Sequence, residues 1–202
     1  YDALAMPALL IAAKPGARRV LIPHEITHEV DGCIEAALIQ VKEFLAQHGV
    51  RADLYPVKMG HVNTDELEKV LDSYDVLMTL DLDPVQTLTG IFMDLCPRTK
   101  TTFFAGSLDG VDAGAALAFG GYPQVLGKAA FLQVQRIVEG GSEPGELPVI
   151  EITSHRQFVV NIACAAMQDM PEANGEAIKR RMMRYEASVP YRPNLKIIKN
   201  IV

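Results

Sequence analysis

Short apolar runs alternate with amphipathic helical segments along most of this chain. Residues 19–23 and 75–80 read as buried strands, whereas residues 31–48 repeat apolar side chains every three or four positions. Strands that alternate with helices form βαβ units, in which a parallel sheet is buried between helical layers. The sequence therefore predicts an α/β fold, with a mainly parallel sheet flanked by helices.

The same patterns place the remaining elements. Further strands are predicted at residues 52–58, 101–105, 113–119, 149–152 and 158–161. Helices are predicted at residues 3–13, 65–73, 85–95, 124–139, 162–168 and 172–184. Helix 124–139 is expected to turn Leu126, Ala130, Val134 and Ile137 inward, and the tail after Ser188 has no clear assignment.

Composition narrows the functional classes. The 202 residues carry a net charge of −6, which argues against a nucleic-acid partner because phosphate binding needs clustered Lys and Arg. Three widely spaced cysteines, Cys33, Cys96 and Cys164, predict buried free thiols. No apolar run reaches the roughly 18 residues that a membrane span needs. Residue 1 is not Met, so we expect further residues ahead of it in the gene product.

Residues 24–28 fit the HExxH pattern of zinc hydrolases. On a helix, His24 and His28 would share one face and could hold Zn²⁺, while Glu25 polarised its water. Here a predicted strand and Pro23 come directly before the motif, which places it on a strand-to-helix loop. An incidental loop that contacts a ligand through Glu25 and Thr27 is favoured over a metal site, and no metal or cofactor is expected.

Polar residues also follow the third and fourth predicted strands. Asp81 and Asp83 come directly after residues 75–80, where they could meet a ligand ammonium group or cap the next helix. Ser107 and Asp109 follow residues 101–105, either as ligand contacts or as a simple turn. Ligands of open α/β sheets bind beyond the carboxyl ends of strands, so both pairs are candidate contacts.

Tyr122 follows two glycines after the fifth predicted strand. Its ring could stack on a ligand or hydrogen-bond it, or could cover a helix end. Gly120 and Gly121 indicate a close backbone approach or a left-handed turn. No Gly-rich phosphate-binding loop and no nucleophile elbow occurs in the sequence, so neither nucleotide binding nor covalent catalysis is indicated.

An ordered series of segments resembles the second half of a family of ABC-transporter solute-binding proteins, the uncharacterised and tryptophan/tyrosine-type members with the type I periplasmic-binding fold. The series is ALLIAAKPGARRVLIP (8–23), VKEFLAQHGV (41–50), YDVLMTLDLDP (74–84), TFFAGSLDGVDAGAALAFGGYPQVLG (102–127) and LPVIEITSHRQFVVNIACAAMQDMP (147–171). The family's D-E-D segment falls on residues 107–109 and keeps Asp109, while its acid near Tyr122 is replaced. The resemblance thus implies the fold without naming the ligand.

The resemblance implies two lobes that close around a small molecule. Residues 17–120 would form one complete α/β lobe, and residues 1–16 and 121–202 part of a second. The rest of that second lobe, or a partner chain, would cover apolar surface left exposed.

The function implied is non-enzymatic. The chain is expected to be the solute-binding component of an ABC uptake transporter, which binds an amino-acid-like molecule and delivers it to a membrane permease. Such a protein would be periplasmic or an extracytoplasmic lipoprotein. The alternatives are a ligand-sensing regulatory domain of the same fold and a zinc-dependent hydrolase built on residues 24–28.

Overall fold

The strands form one mixed sheet. A computed structural model of the chain describes residues 4–25, 32–58, 62–80, 88–121, 123–148, 156–170, 175–184 and 194–198. The strands are β1 Arg19–Glu25, β2 Arg51–Val57, β3 Val76–Met78, β4 Thr102–Ala105, β5 Leu117–Gly121, β6 Arg156–Asn161 and β7 Asn194–Ile198. The helices are α1 Ala5–Ala13, α2 Gly32–Gln47, α3 Thr64–Leu71, α4 Thr89–Thr99, α5 Asp109–Asp112, α6 Pro123–Val138, α7 Ile162–Met167 and α8 Gly175–Arg184.

The strand order is β2-β1-β3-β4-β5-β6-β7. Strands β2, β1, β3, β4 and β5 are mutually parallel. Strand β6 runs antiparallel to β5, and β7 runs parallel to β6. The prediction of an α/β fold with a mainly parallel sheet is confirmed.

Helices cover both faces of this sheet and create two apolar cores. One core joins residues of α1, α2 and α8 to one face, and the other joins α3, α4 and α5 to the opposite face. Alternate residues of β1 divide between the cores, since Val20 and Ile22 belong to the first and Leu21 to the second. This two-sided burial explains why the strands read as continuous apolar runs in the sequence.

The largest differences between the predicted elements and the structure lie at three places. The strand predicted at residues 113–119 begins at Leu117, because the preceding chain forms the short helix α5 and a turn with Gly114 at a φ of +84°. Helix α4 continues past Pro97 to Thr99, and Lys100 ends it in a left-handed conformation. The unassigned tail contains β7, which pairs with β6.

Helix α1 packs in the core of the proposed first lobe, and strands β6 and β7 belong to its sheet. All nine residues of α1 are buried, in the same cluster as Val20 of β1 and Val160 of β6. These segments, expected with the second lobe, therefore pack as part of the layered structure that contains residues 17–120. The two-lobe division itself remains a prediction.

Helix α6 contrasts with the other helices because its apolar side chains are exposed. It carries five of the eight exposed large apolar side chains among the described residues: Leu126, Phe131, Leu132, Val134 and Val138. The expected inward orientation of this helix is wrong, since Leu126 is 55% and Val134 52% exposed. A helix with such a face needs a partner surface to bury it.

The two cysteines whose side chains the structure describes agree with the prediction of buried free thiols. Cys96 and Cys164 are free and buried, and burial raises the pKa of both thiols. The side chain of Cys33 lies outside the described residues. None of the described helices combines the length and the hydrophobicity that crossing a bilayer requires.

Candidate functional site

The carboxyl ends of the parallel strands converge on one edge of the sheet. Strand β1 has β2 on one side and β3 on the other, and the connecting helices α2 and α3 lie on opposite faces. The chain direction across the sheet thus reverses between β1 and β3, which leaves a crevice at that point. Ligands of open α/β sheets bind at such a point, and the carboxyl ends of β1 and β3 flank it.

Two of the predicted residues lie at the end of β1. His24 pairs in register with Pro56 and Glu25 with Val57, so both belong to extended strand rather than to a helix. This conformation lacks the helical spacing that an HExxH zinc site uses. Thr27 and His28, and the side chain of Glu25, lie outside the described residues. Within the part of the chain that the structure describes, no cluster of three or more His, Cys, Asp or Glu residues could hold a metal ion.

The end of β3 is joined to the loop after β4 by a buried threonine. The Thr79 backbone N–H donates to the Phe104 carbonyl at 3.0 Å, and the Gly106 N–H donates to the Thr79 hydroxyl oxygen at 3.1 Å. Thr79 is 1% exposed, so these bonds form away from solvent. They hold the end of β3 against the start of the 106–108 loop. Asp81 and Asp83 themselves lie outside the described residues.

The loop after β4 packs directly against the end of β5. A methyl group added at Gly120 would lie 3.4 Å from both the Ser107 Cα and the Leu108 nitrogen. Ser107 is half-buried in this loop, whereas Asp109 is exposed at the first position of α5. The structure therefore brings Ser107 and Asp109 to the same edge as the end of β5. Tyr122 is outside the described residues.

Two residues of this edge were missed from the sequence. Thr79 lies in an apolar run and belongs to no recognisable motif. Its hydrogen bond with Gly106 therefore could not be predicted from the sequence. Arg156 pairs with Gly121, which places it beside the carboxyl end of β5. The strand predicted from the sequence begins only at residue 158, and the antiparallel direction of β6 is what brings Arg156 to this edge.

A polar cluster around Asp53 lies at the opposite edge of the sheet. The Asp53 carboxylate accepts a hydrogen bond from the Tyr74 hydroxyl at 2.9 Å and pairs with Arg51 at 2.9 Å. The Arg19 guanidinium lies 4.4 Å from the centre of the Tyr74 ring. Burial opposes ionisation of Asp53, but the bonds from Tyr74 and Arg51 and the two arginine charges together lower its pKa. These contacts tie together the amino ends of β1 and β2 and the segment before β3, while the buried Arg19 Nε–H has no hydrogen-bond partner in the described part of the structure.

Comparison with known proteins rests on structure. No protein-family model matches the chain, and no curated protein sequence matches it significantly. A conserved domain protein from Vibrio cholerae superposes with a TM-score of 0.68 at 20% identity, over 86% of this chain and 56% of that one. An ABC domain in complex with L-Trp from Streptococcus pneumonia superposes with a TM-score of 0.67 at 15% identity, over 85% of this chain and 57% of that one.

A third similar structure is a ligand-free, open substrate-binding protein with adhesive properties from Clostridium difficile. Its TM-score is 0.62 at 17% identity, over 96% of this chain and 59% of that one. The chain thus spans between 56% and 59% of the length of these three solved chains. At these identities the likeness concerns the fold: the chain has the type I periplasmic-binding-like α/β architecture that its sequence resembles.

Proposed function

We propose that this chain is the solute-binding component of an ABC uptake transporter and binds a small, amino-acid-like molecule. The observation that carries the proposal is the carboxyl edge of the sheet, where Thr79, Ser107 and Gly120 hold three strand ends in contact. The Streptococcus protein of this fold was solved in complex with L-Trp, and the Clostridium protein of this fold is a substrate-binding protein. Glu25, Thr27, Asp81, Asp83, Ser107, Asp109 and Tyr122 are the proposed ligand contacts.

The proposal includes a second lobe on helix α6. Phe131 and Val138 on this helix are 64% and 75% exposed, which is unfavourable for an apolar face in water. This chain covers between 56% and 59% of the three solved chains of the same fold, so more than two fifths of each has no counterpart in the superposition. The partner surface is therefore proposed to be the remainder of a two-lobed protein, with the solute enclosed between the lobes.

The proposed setting is extracytoplasmic, either periplasmic or as a lipoprotein. There the loaded protein would deliver its solute to a membrane permease, without catalysing a reaction. Copurification of a permease with the tagged protein would support this role. Solute binding with no permease partner would favour a ligand-sensing regulatory domain instead.

A thermal-shift screen tests solute binding directly. The longest natural form of the protein is screened against the twenty common amino acids, small organic acids and neutral solutes such as glucose and uridine. A solute present at 100 times its Kd stabilises the folded state by about 2.7 kcal/mol, which corresponds to a rise in Tm of roughly 5–10 °C. If no compound raises Tm, the proposed function fails.

The matched variants Asp109→Asn and Asp112→Asn locate the site. Both residues are exposed acids on α5, but Asp109 is the proposed contact next to the strand-end loop. Loss of a hydrogen bond to a charged group weakens binding by about 10- to 100-fold. Titration calorimetry is expected to show this loss for Asp109→Asn, whereas Asp112→Asn binds as the unmodified protein does. Equal affinities for all three proteins would remove Asp109 from the site.

A further inference from the structure

We propose that two copies of this chain associate through the outer side of β2, the outermost strand of the sheet. Strand β2 pairs with β1 on one side, and no strand in the described part of the chain pairs with its other side. Unpaired N–H and C=O groups along such a strand can bind a strand of another molecule. The inference is independent of the proposed solute-binding function.

The hydrogen bonds to β1 determine which backbone groups of β2 point outward. The Arg51 N–H donates to the Arg18 carbonyl at 2.8 Å, so the backbone groups of Arg51 point toward β1. The direction alternates along a strand, so those of Ala52 and Leu54 point outward. Pro56, the next outward residue, has no N–H to donate. The outer side of β2 is therefore suited to pairing around Ala52 and Leu54.

A groove of about 520 Å³ lies beside this part of β2, between the end of α2 and the start of the strand. Ala46, Val50 and Ala52 contribute to its lining. Lys42 and Glu43 also line it, from exposed positions on α2. The groove thus combines small apolar residues with one charge of each sign. An added strand would place every second side chain over it.

The charges of β2 indicate which partner fits. Arg51 and Asp53 point to the opposite face of the sheet from Ala52. The Arg51 Nε lies 2.9 Å from the Asp53 carboxylate of its own chain, but the Arg51 side chain is 70% exposed. A guanidinium has five donors, so it can serve a second carboxylate as well. One cation and one acid two residues apart are complemented by the same pair running in the reverse direction, which a second copy of this chain supplies.

One antiparallel register satisfies both the backbone and the charges. When Ala52 lies opposite Ala52 of the second copy, Arg51 of each copy lies directly opposite Asp53 of the other. Leu54 of each copy then lies opposite Val50 of the other, on the face that carries the groove. A shift by two residues would bring the two Asp53 carboxylates together and is disfavoured. The result is a dimer with two-fold symmetry.

Charge reversal at the paired positions tests the interface. Sedimentation equilibrium of the longest natural form of the protein is expected to show a dimer with a Kd on the order of 100 µM, because the interface is small. Arg51→Glu and Asp53→Lys each replace two attractive pairs by two repulsive ones, which should raise Kd about 10- to 100-fold. An equimolar mixture of these variants restores both pairs in the heterodimer and should dimerise as the unmodified protein does.

Two further variants keep the test interpretable. Ala52→Pro removes an N–H that points away from β1, so it should fold and fail to dimerise. Arg180→Glu reverses an exposed charge on α8 and should leave Kd unchanged. Asp53→Lys also removes the acceptor of the Tyr74 hydroxyl, so thermal melting checks its folding. If it is unstable, Arg51→Glu and Ala52→Pro decide the matter.

Three results would overturn the inference. The first is a protein that stays monomeric at about 1 mM, tenfold above the expected Kd. The second is a dimer that persists with unchanged Kd in Arg51→Glu or Ala52→Pro, which would assign the association to another surface such as the apolar face of α6. The third is a mixture of folded Arg51→Glu and Asp53→Lys that does not dimerise. Solute binding is tested separately by the thermal-shift screen and stands or falls without this dimer.

Discussion

Two glycines allow the strand-end loops to pack closely. A Cβ at Gly110 would overlap the Cβ of Ala105, so helix α5 lies directly on strand β4. Gly120 lets the end of β5 approach Ser107 and Leu108. Each glycine is readable in the sequence as a flexible position, but the atom that excludes a side chain belongs to a distant or folded-back segment. Local conformational propensity therefore does not show that a side chain at these two positions would clash with its neighbours.

Gly110→Ala is expected to destabilise the protein by about 1–3 kcal/mol, because the added methyl overlaps a buried side chain. Gly127→Ala makes the same change inside helix α6, where nothing lies within 4 Å of the new Cβ. That variant should be stabilised by about 0.4–1 kcal/mol, since alanine reduces the entropy of the unfolded chain. Urea unfolding of both variants measures the difference; a Gly110→Ala protein as stable as Gly127→Ala would contradict the packing described.

The helices show where periodicity predicts well and where it does not. The existence of α2 and α4 follows from apolar spacing, because spacing along one chain determines which side chains share a face. The orientation of α6 does not follow, because an apolar stripe indicates that a surface is buried but not which surface covers it. The helix predicted at residues 85–95 ends at Thr99 in the structure, because it accommodates Pro97 in its last turns.

Substitutions on α6 test its exposure. Phe131→Ala should change the free energy of unfolding of this chain by less than about 0.5 kcal/mol, because Phe131 is 64% exposed. Phe103→Ala, which truncates a fully buried ring, should cost about 3–5 kcal/mol. Chemical denaturation of the two variants, compared with the unmodified chain, makes the measurement. A loss of several kcal/mol in Phe131→Ala would mean that α6 packs on this chain itself.

Distant parts of the chain are tied together by two cations near the end of α1. The Lys14 ammonium donates to the Thr102 hydroxyl at 2.9 Å and to the carbonyls of Asp75 and Asp169, both at 3.2 Å. The Arg181 guanidinium donates to the Ala12 carbonyl at 2.6 Å. These bonds join α1 to the strand starts and to α8, whose Ile178 lies in the same core as α1.

Lys14→Met should destabilise the fold by about 1–3 kcal/mol at pH 7, since it removes the three hydrogen bonds that the ammonium donates to Thr102, Asp75 and Asp169. Burial lowers the pKa of Lys14 in the folded protein despite the charges of Asp169 and Asp75. Between that lowered pKa and the ordinary value of 10.5, the unfolded state binds more protons, so stability rises with pH.

The unmodified protein should therefore gain stability over Lys14→Met as pH rises toward 10.5. Urea unfolding at several alkaline pH values measures this gain. Lys42→Met, at an exposed position on α2, is the control and should change stability by less than about 0.5 kcal/mol. A stability difference between the unmodified protein and Lys14→Met that shrinks with rising pH would contradict the assignment.

The sequence by itself determined the alternation of strands and helices, and it placed Ser107 and Asp109 after a strand that ends at the candidate edge. These features are local, because residue spacing and strand polarity are properties of short segments. Tertiary structure alone decided that Thr79 bonds Gly106, that Arg156 stands beside Gly121, and that α6 exposes its apolar face. Each depends on how segments far apart in the chain pair and pack, which local propensity does not specify.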